Sequence, residues 1–394
     1  MSVAEGREFL NIPGPTNIPD AVLAAMHRPA IDIYSGEMLG ITRSLHEDLP
    51  KIFRTAGRAY IYAANGHGGW EAALSNVLSR GETVLVLESG LFAAGWGDMA
   101  RMMGAKVEVL KGDARRAVNP DAVRQRLEAD GSQEIKAILV VQIDTASGVV
   151  NDLPAIRRAI DAARHPALLM VDAVASLGCM PFEMDGWGID VAMAGSQKGL
   201  MTPPGLAFVA ANERANAAHQ KADLRTRYWD WTFRQGEAHY QKYGGTPPEH
   251  LLFGLRKALD LLLAEGLEHA ARRHALLAEA TRQAVGRWAE GGSLAINATH
   301  PAERASSLTC VLTPDRDPQP LLDYCRTRCG VVLGVGIGPF SGHAFRIAHM
   351  GHVNAPMVIG ALGAIEMGLA ALGIPYGAGG VQRAVEYLGR EVAA

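Results

Sequence analysis

Short apolar runs alternate with longer amphipathic stretches through the first half of the chain. Seven apolar runs are predicted to be strands: residues 59–62, 83–87, 106–110, 137–141, 167–171, 191–194 and 206–210. Most of them are apolar on both faces, as strands covered by helices on both sides must be. The stretches between them predict helices at 69–79, 96–103, 120–129 and 153–163, with Asn119 and Asp152 as N-caps. This alternation predicts a parallel α/β architecture.

The pattern changes near residue 248. Helices are predicted at 249–264, 267–288 and 320–329, strands at 305–312, 331–333 and 343–348, and a last helix from 355. This predicts a smaller C-terminal α/β domain, and we divide the chain into an N-terminal segment (1–20), a large domain (21–260) and a small domain (261–394). Residues 357–374 are almost wholly apolar, but Glu366 and four glycines interrupt them. A packed core helix is therefore favoured over a membrane span.

Composition narrows the class of protein. Of the 394 residues, 48% are hydrophobic and 20% are charged, which is typical of a globular protein. The net charge of −3 argues against a protein that binds nucleic acid or a membrane surface. The four cysteines form no CxxC pair and follow no zinc spacing, so no metal site is expected. A chain of this size needs no disulfides, which favours a reducing cytoplasm.

Lys198 and Asp172 are the first candidates for chemistry. Lys198 lies in Gly195-Ser-Gln-Lys-Gly199, directly after the strand predicted at 191–194. Ligands bind at the carboxyl ends of such strands, and burial there makes a neutral amine accessible for Schiff-base chemistry. Asp172 ends the run Leu168-Leu-Met-Val-Asp172. An amine and an acid are what pyridoxal phosphate requires, although a lysine placed there by chance and a helix-capping aspartate remain alternatives.

Two further features point to an anionic ligand. Asn65-Gly-His-Gly-Gly-Trp-Glu71 lies between a predicted strand and a predicted helix, so its backbone N–H groups can form an anion cradle. The motif matches neither the P-loop nor the dinucleotide fingerprint. Arg346 lies inside an apolar strand, where a guanidinium must meet an anion. That anion is either a substrate carboxylate or the partner in a structural salt bridge.

Together these blocks resemble the class V aminotransferases of pyridoxal-phosphate fold type I, above all the serine–glyoxylate and alanine–glyoxylate aminotransferases. The similar blocks are residues 12–19, 65–74, 144–149, 171–176, 195–198, 243–247 and 346–351. The resemblance implies a large domain with a mostly parallel seven-stranded sheet and a smaller C-terminal α/β domain. It also implies a homodimer whose active sites are completed across a two-fold interface.

The resemblance also implies roles for individual residues. Lys198 would form the Schiff base and then carry the proton, Asp172 would pair with the ring nitrogen, and Arg346 would bind the substrate carboxylate. The other implied cofactor contacts are Gly66, His67, Gly68 and Gln197 at the phosphate, Val174 and Phe92 on the ring faces, Thr145 at the ring oxygen, and Tyr243 and Thr246 from a neighbouring subunit. Tyr34 and Asn17 are the remaining expected substrate contacts.

Departures from the family pattern bear on the substrate. Serine–glyoxylate enzymes tend to show Asp-Tyr-Arg-Ser where this chain has Asp32-Ile-Tyr-Ser35, which removes polar groups expected to face the side chain of serine. His67 also occurs in the alanine–glyoxylate branch. We therefore expect a ping-pong transaminase that moves an amino group from a small L-amino acid, alanine or serine, to glyoxylate or pyruvate.

Three other functions remain open. Pyridoxamine–pyruvate aminotransferase has a similar Asp-Thr-x-Ser-Gly block and a similar Arg-Ile-x-His-Met-Gly tail. A pyridoxal-phosphate lyase or desulfurase could share the fold, but a desulfurase needs a cysteine on a mobile loop, and Cys325 and Cys329 lie in a predicted helix. A nucleotide-binding or scaffold protein without catalysis is disfavoured because Lys198 and Asp172 are both present.

Overall fold

The computed structural model describes residues 2–393. Its strands are β1 (Phe9–Asn11), β2 (Arg58–Ala63), β3 (Thr83–Leu87), β4 (Lys106–Leu110), β5 (Ile135–Val141), β6 (Ile143–Asp144), β7 (Val149–Val150), β8 (Leu168–Asp172), β9 (Val191–Gly195), β10 (Leu206–Ala211), β11 (Ala295–Ile296), β12 (Leu308–Leu312), β13 (Val331–Val335) and β14 (Ala344–Ala348). Its helices are α1 (Asp20–Met26), α2 (Glu37–Phe53), α3 (Gly66–Val77), α4 (Leu91–Met102), α5 (Pro120–Glu128), α6 (Leu153–Ala162), α7 (Glu213–His219), α8 (Trp231–Arg234), α9 (Glu249–Glu265), α10 (Leu267–Ala289), α11 (Gln319–Cys329), α12 (Ala355–Ala371) and α13 (Gly380–Val392).

The larger sheet has the strand order β2-β10-β9-β8-β5-β3-β4. Every neighbouring pair is parallel except the two that involve β10, which runs antiparallel to both β2 and β9. Apolar side chains on its two faces enter two separate buried clusters, so Ile61 packs on one side and Tyr62 on the other. This confirms the α/β class and the mostly parallel seven-stranded sheet.

The smaller sheet has the strand order β1-β13-β14-β12-β11, and only β1 and β13 are parallel. Its first strand comes from the N-terminal segment, so residues 9–11 belong to the same sheet as residues 331–348. The chain then passes from this sheet to the large one through residues 12–19. The division at residues 20 and 260 stays a proposal.

All seven strands predicted for the large sheet form, and each observed strand overlaps its predicted range. Asn119 and Asp152 cap α5 and α6 as predicted, each accepting a bond from a backbone N–H of the first turn. Helices α1, α2, α7, α8 and α13 were not predicted. Within α2, Pro50 interrupts the polar–apolar pattern, but it lies in the last turn, where the helix ends anyway.

The carboxylate of Glu366 explains how an acid is accommodated in the apolar helix α12. It accepts bonds from the backbone N–H groups of Gly379 and Val381, at the start of α13, and from the indole of Trp288. Although burial opposes ionisation, these donors hold the pKa of Glu366 below its usual value. Along residues 2–393, the structure contains no helix with the length and apolar character that crossing a membrane would require.

Two buried histidines anchor the segment that carries Arg346. His274 on α10 donates from Nδ1 to the carbonyl of Ala270 (2.6 Å) and accepts the N–H of Gly351 at Nε2 (2.9 Å). His349 contacts the carbonyl of Ser306 and the hydroxyl of Thr309. Burial lowers the pKa of His274 to about 4 and that of His349 to about 3, so both rings are neutral in the folded protein.

Acid is therefore expected to destabilise the fold through these two rings. Below pH ~6.5 the unfolded chain binds protons that the folded chain excludes, so the free energy of unfolding falls as the pH decreases towards 4. Each ring contributes on the order of 1 kcal/mol per pH unit across that window. Urea unfolding at several pH values measures the slope, which His349→Gln should make shallower. The exposed control His27→Gln should leave it unchanged, and equal slopes in all three proteins would contradict the account.

Candidate active site

Five parallel strands deliver their carboxyl ends to one edge of the large sheet. The residues that follow β2, β3, β5, β8 and β9 surround a cavity of about 290 Å³ at this edge. It is lined by Gly14, Pro15, Asn65, Gly66, His67, Trp70, Phe92, Val141, Ile143, Thr145, Asp172, Val174, Ala175, Gln197, Lys198 and Pro204. Ligands bind at the carboxyl ends of the strands in such sheets, and the candidate residues predicted from the sequence meet at this end.

Asp172 ends β8, is buried and lines this cavity. Oδ1 accepts the backbone N–H of Val174 and Oδ2 accepts the indole N–H of Trp70, both at 2.7 Å. No cation lies within salt-bridge distance of it among residues 2–393. Burial raises the pKa of Asp172 to about 6, and the two donors limit that rise.

Lys198 lies three residues beyond the end of β9, the strand next to β8. Its ammonium donates to the carbonyl of Pro13, and the carbonyl of Lys198 accepts a bond from Thr16 (3.1 Å). Burial, with the nearby charge of Arg346, lowers the pKa of Lys198 to about 8. A sizeable neutral fraction of the amine is therefore present near neutral pH, which nucleophilic attack and proton transfer require.

The N-terminal segment makes a contact with Lys198 that the sequence pattern does not predict. Gly14 has a φ of +100°, and a Cβ atom there would lie 2.6 Å from both Cε and Nζ of Lys198. Only glycine gives the backbone this conformation and this closeness to the lysine. Residues 12–16 thus cover the lysine.

Arg346 on β14 is buried next to Thr145. It donates from Nε to the carbonyl of Val335 (2.7 Å) and from Nη1 to the carbonyl of Thr145 (2.8 Å). No carboxylate of the described residues lies within 4 Å of it, so the structure does not support the alternative of a structural salt bridge. Burial lowers the pKa of Arg346, which indicates a guanidinium without a full counter-charge.

The glycine-rich turn forms the N-terminus of α3, as the anion-cradle prediction requires. The side chain of Asn65 caps this helix, because its Oδ1 accepts the N–H groups of His67 (3.1 Å) and Gly68 (3.2 Å). Two of the backbone donors expected at a phosphate are therefore already bonded within the chain. Gly66 and His67 line the cavity, whereas Gly68 packs towards Ala64 and Trp229.

The other predicted cofactor contacts fall into two groups. Phe92, Thr145, Val174 and Gln197 all line the cavity. The backbone N–H of Phe92 is held by the buried carboxylate of Asp144 (2.8 Å), a supporting residue that sequence reasoning did not single out. The other two cofactor contacts, Tyr243 and Thr246, do not line the cavity of their own chain.

Four predicted contacts lie elsewhere. The ring of Tyr243 is buried in its own chain, and its hydroxyl bonds Thr42 (2.7 Å), so the hydroxyl already has a partner within the same chain. Thr246 is exposed, and Tyr34 is 70% exposed. Asn17 donates its amide to the carbonyl of Leu10 (2.8 Å) and lies outside the cavity lining, so its expected contact with substrate has no support here.

The aromatic stretch at 228–233 packs instead of shaping the cavity. Trp231 is fully buried and stacks on Tyr60, with ring centres 5.2 Å apart. Buried Arg234 fixes the stretch by donating to four backbone carbonyls, including those of Ile61 and Tyr228. These contacts hold the stretch in the packed interior of the chain, and none of its residues lines the cavity.

Comparison with known proteins agrees with this geometry. The family model described as aminotransferase class-V matches residues 9–344. The chain belongs to the class V aminotransferases. It is 41% identical over 391 residues to the serine–glyoxylate aminotransferase of Methylorubrum extorquens, covering 97% of this chain and 96% of that one. The chain is a transaminase.

Two further relatives show how the family varies in substrate. The L-aspartate–glyoxylate aminotransferase of Paracoccus denitrificans is 37% identical, with 97% of this chain and 96% of the relative covered. Among solved structures, the pyridoxamine–pyruvate aminotransferase of Mesorhizobium loti has a TM-score of 0.91 at 29% identity, covering 99% of this chain and 100% of that chain. This agreement confirms the predicted fold type.

Proposed function

We propose that this class V aminotransferase uses pyridoxal 5′-phosphate to move an amino group from a small L-amino acid, alanine or serine, to glyoxylate or pyruvate. One observation carries the proposal: an amine with a lowered pKa, Lys198, and a buried carboxylate, Asp172, follow adjacent strands and line the same cavity. The names of the relatives support the acceptor, since two of them act on glyoxylate and one on pyruvate.

The residues present fit this cofactor. The cavity combines a lysine, a facing carboxylate, an apolar wall from Val174 and an aromatic ring from Phe92. In addition, the side-chain oxygen of Gln197 is buried without a hydrogen-bond partner, and this acceptor needs a donor group on the ligand, which a phosphate oxygen does not supply. When bound, pyridoxal phosphate supplies a ring that withdraws electrons from the substrate Cα.

Three side chains divide the work on the substrate. Arg346 binds its carboxylate with the part of the guanidinium that the two carbonyls leave free. Lys198 Nζ, part of which is neutral near neutral pH, would accept the proton from the substrate Cα and then donate it on the cofactor side of the same site. The negatively charged carboxylate of Asp172 would lie beside the ring nitrogen of the cofactor. Trp70 and Val174 hold the two oxygens of this carboxylate in place.

The assembly and location follow from the same proposal. We expect a homodimer, with Thr246 as an exposed residue that would approach a neighbouring subunit. The four cysteines are free thiols, which supports the expectation of a reducing cytoplasm.

An amino-donor panel tests the proposed function. The protein is mixed with L-alanine, L-serine or L-aspartate, each with glyoxylate or pyruvate, and the released 2-oxo acid is quantified. We expect alanine or serine to be the best donor, and the initial rates to follow ping-pong kinetics. Activity confined to aspartate, or lyase products without any amino transfer, would contradict the proposal.

A second function, pyridoxamine–pyruvate transamination, has its own supporting observation. Asn65 occupies the N–H groups of His67 and Gly68 that would otherwise be free for a phosphate. An enzyme that takes the vitamer without its phosphate needs no such donors. Dialysed protein given free pyridoxamine and pyruvate should release pyridoxal if this function is correct, and no pyridoxal if the main proposal is.

Arg346→Lys is expected to raise the KM for the amino donor about 10- to 100-fold, with a smaller change in kcat. A lysine cannot hold both carbonyls and also bind a carboxylate through two bonds. Steady-state kinetics over a range of donor concentrations measures the change. Arg234→Lys is the matched control, because Arg234 is also buried and bonds backbone carbonyls but does not line this cavity. An equal rise in KM in both variants would contradict the role of Arg346.

A further inference from the structure

Trp70 makes a contact that its sequence motif does not predict. Its indole Nε1 donates to Oδ2 of Asp172 at 2.7 Å, and both side chains are buried in the wall of the cavity. The other carboxylate oxygen bonds only the backbone N–H of Val174. Asp172 therefore has two neutral donors and no cation within salt-bridge distance among residues 2–393.

The indole is held rigidly by aromatic neighbours. It stacks on Trp96, with ring centres 6.1 Å apart and planes 14° apart. The rings of Phe92 and His67 meet it edge-on at 6.3 and 4.6 Å. Its N–H direction is thus fixed before any ligand binds, so Oδ2 of Asp172 is held at a fixed position in the cavity.

A hydrogen bond to a carboxylate stabilises the charged form over the protonated form. Hydrogen bonds to charged groups are also stronger than those between neutral groups. Removing the N–H therefore leaves a less stable anion whose orientation is no longer fixed.

We propose that Trp70 is a positioning residue, whose indole N–H keeps the Asp172 carboxylate ionised and aimed at the protonated ring nitrogen of the cofactor. This inference rests on the proposed cofactor site. It adds Trp70 as the residue that keeps the carboxylate of Asp172 ionised and oriented. It predicts that the loss of one N–H group weakens recognition of the ring nitrogen specifically, while the rest of the site is unchanged.

The test measures binding of two probes to the full-length chain freed of cofactor. One probe is pyridoxal phosphate, and the other is its carbocyclic analogue, in which C–H replaces the ring nitrogen. In Trp70→Phe we expect the Kd for pyridoxal phosphate to rise about 10- to 100-fold and the Kd for the analogue to stay within about 2-fold. The absorbance of bound pyridoxal phosphate should also become more sensitive to pH.

Trp96→Phe is the matched control. Trp96 is buried against Trp70, but its own indole nitrogen has no hydrogen-bond partner, so the substitution removes no bond. It should change neither Kd by more than about 2-fold. If Trp70→Phe does not fold, 3-benzothienylalanine at position 70 keeps the shape of the indole and replaces only the N–H.

The outcomes distinguish a failure of the role of Trp70 from a failure of the proposed cofactor site. Equal weakening of both probes in the Trp70 variants would show a packing role and overturn the inference, and so would no weakening at all. If the unaltered chain binds both probes equally well, the assignment of Asp172 to the ring nitrogen fails, and the inference fails with it. A selective loss for pyridoxal phosphate alone supports both.

Discussion

Replacing Lys198 with alanine should reduce transaminase turnover by about 10²- to 10⁴-fold and remove covalent attachment of the cofactor. Lys198 is the lysine that lines the cavity, and its lowered pKa provides a neutral amine near neutral pH. No other amine in the cavity lining can take over the proton transfer. The readouts are the rate of 2-oxo acid release and the visible absorbance of the purified protein.

The control for this variant is Lys111→Ala, which removes a lysine whose side chain is 78% exposed on the surface. It should keep both the absorbance and the full rate. Turnover by Lys198→Ala at more than about 1% of the unaltered rate would contradict the assignment, because proton transfer by a positioned group supplies about 10²–10⁴-fold in rate.

The second large effect is expected for Asp172→Asn. Asparagine keeps the size of the side chain and one oxygen to accept a bond, but it carries no charge to hold a proton on the ring nitrogen. We expect kcat to fall about 10²- to 10³-fold, the usual cost of losing one electrostatic stabiliser. Steady-state kinetics with saturating cofactor measures this loss.

Asp130→Asn is the comparison for that experiment. Asp130 is also a buried carboxylate, but it bonds the N–H groups of Glu134 and Ile135 and the ring of His165, away from the cavity. It should lose thermal stability and keep its kcat. If Asp172→Asn retained a normal kcat at saturating cofactor, the carboxylate would have no part in the reaction.

The sequence predicts the part of the site that depends on strand order. Asp172 and Lys198 follow the strands predicted at 167–171 and 191–194, and residues just beyond the ends of neighbouring parallel strands must lie together. Phe92, Val174 and Thr145 entered through the family resemblance, and all three line the cavity. The backbone sets these positions, and the apolar pattern predicts the course of the backbone.

Contacts between side chains are less predictable, because they depend on packing between distant elements. The bond from Trp70 to Asp172 requires α3 to lie against the sheet at one particular height, and nothing in the local pattern signals it. Asn17 was expected to contact the substrate, but its side-chain amide donates a hydrogen bond to the backbone carbonyl of Leu10. Glu366 is similar, since its partners at the start of α13 lie in a helix that was not predicted.

Borohydride reduction followed by peptide mapping tests the central claim most directly. The chain is loaded with pyridoxal phosphate, reduced, digested with trypsin and analysed by mass spectrometry. Reduction at Lys198 blocks cleavage there, so we predict a single adduct on the peptide of residues 165–214 in place of the two peptides that end and begin at Lys198. An adduct on any of the other seven lysines, or none at all, would contradict the account.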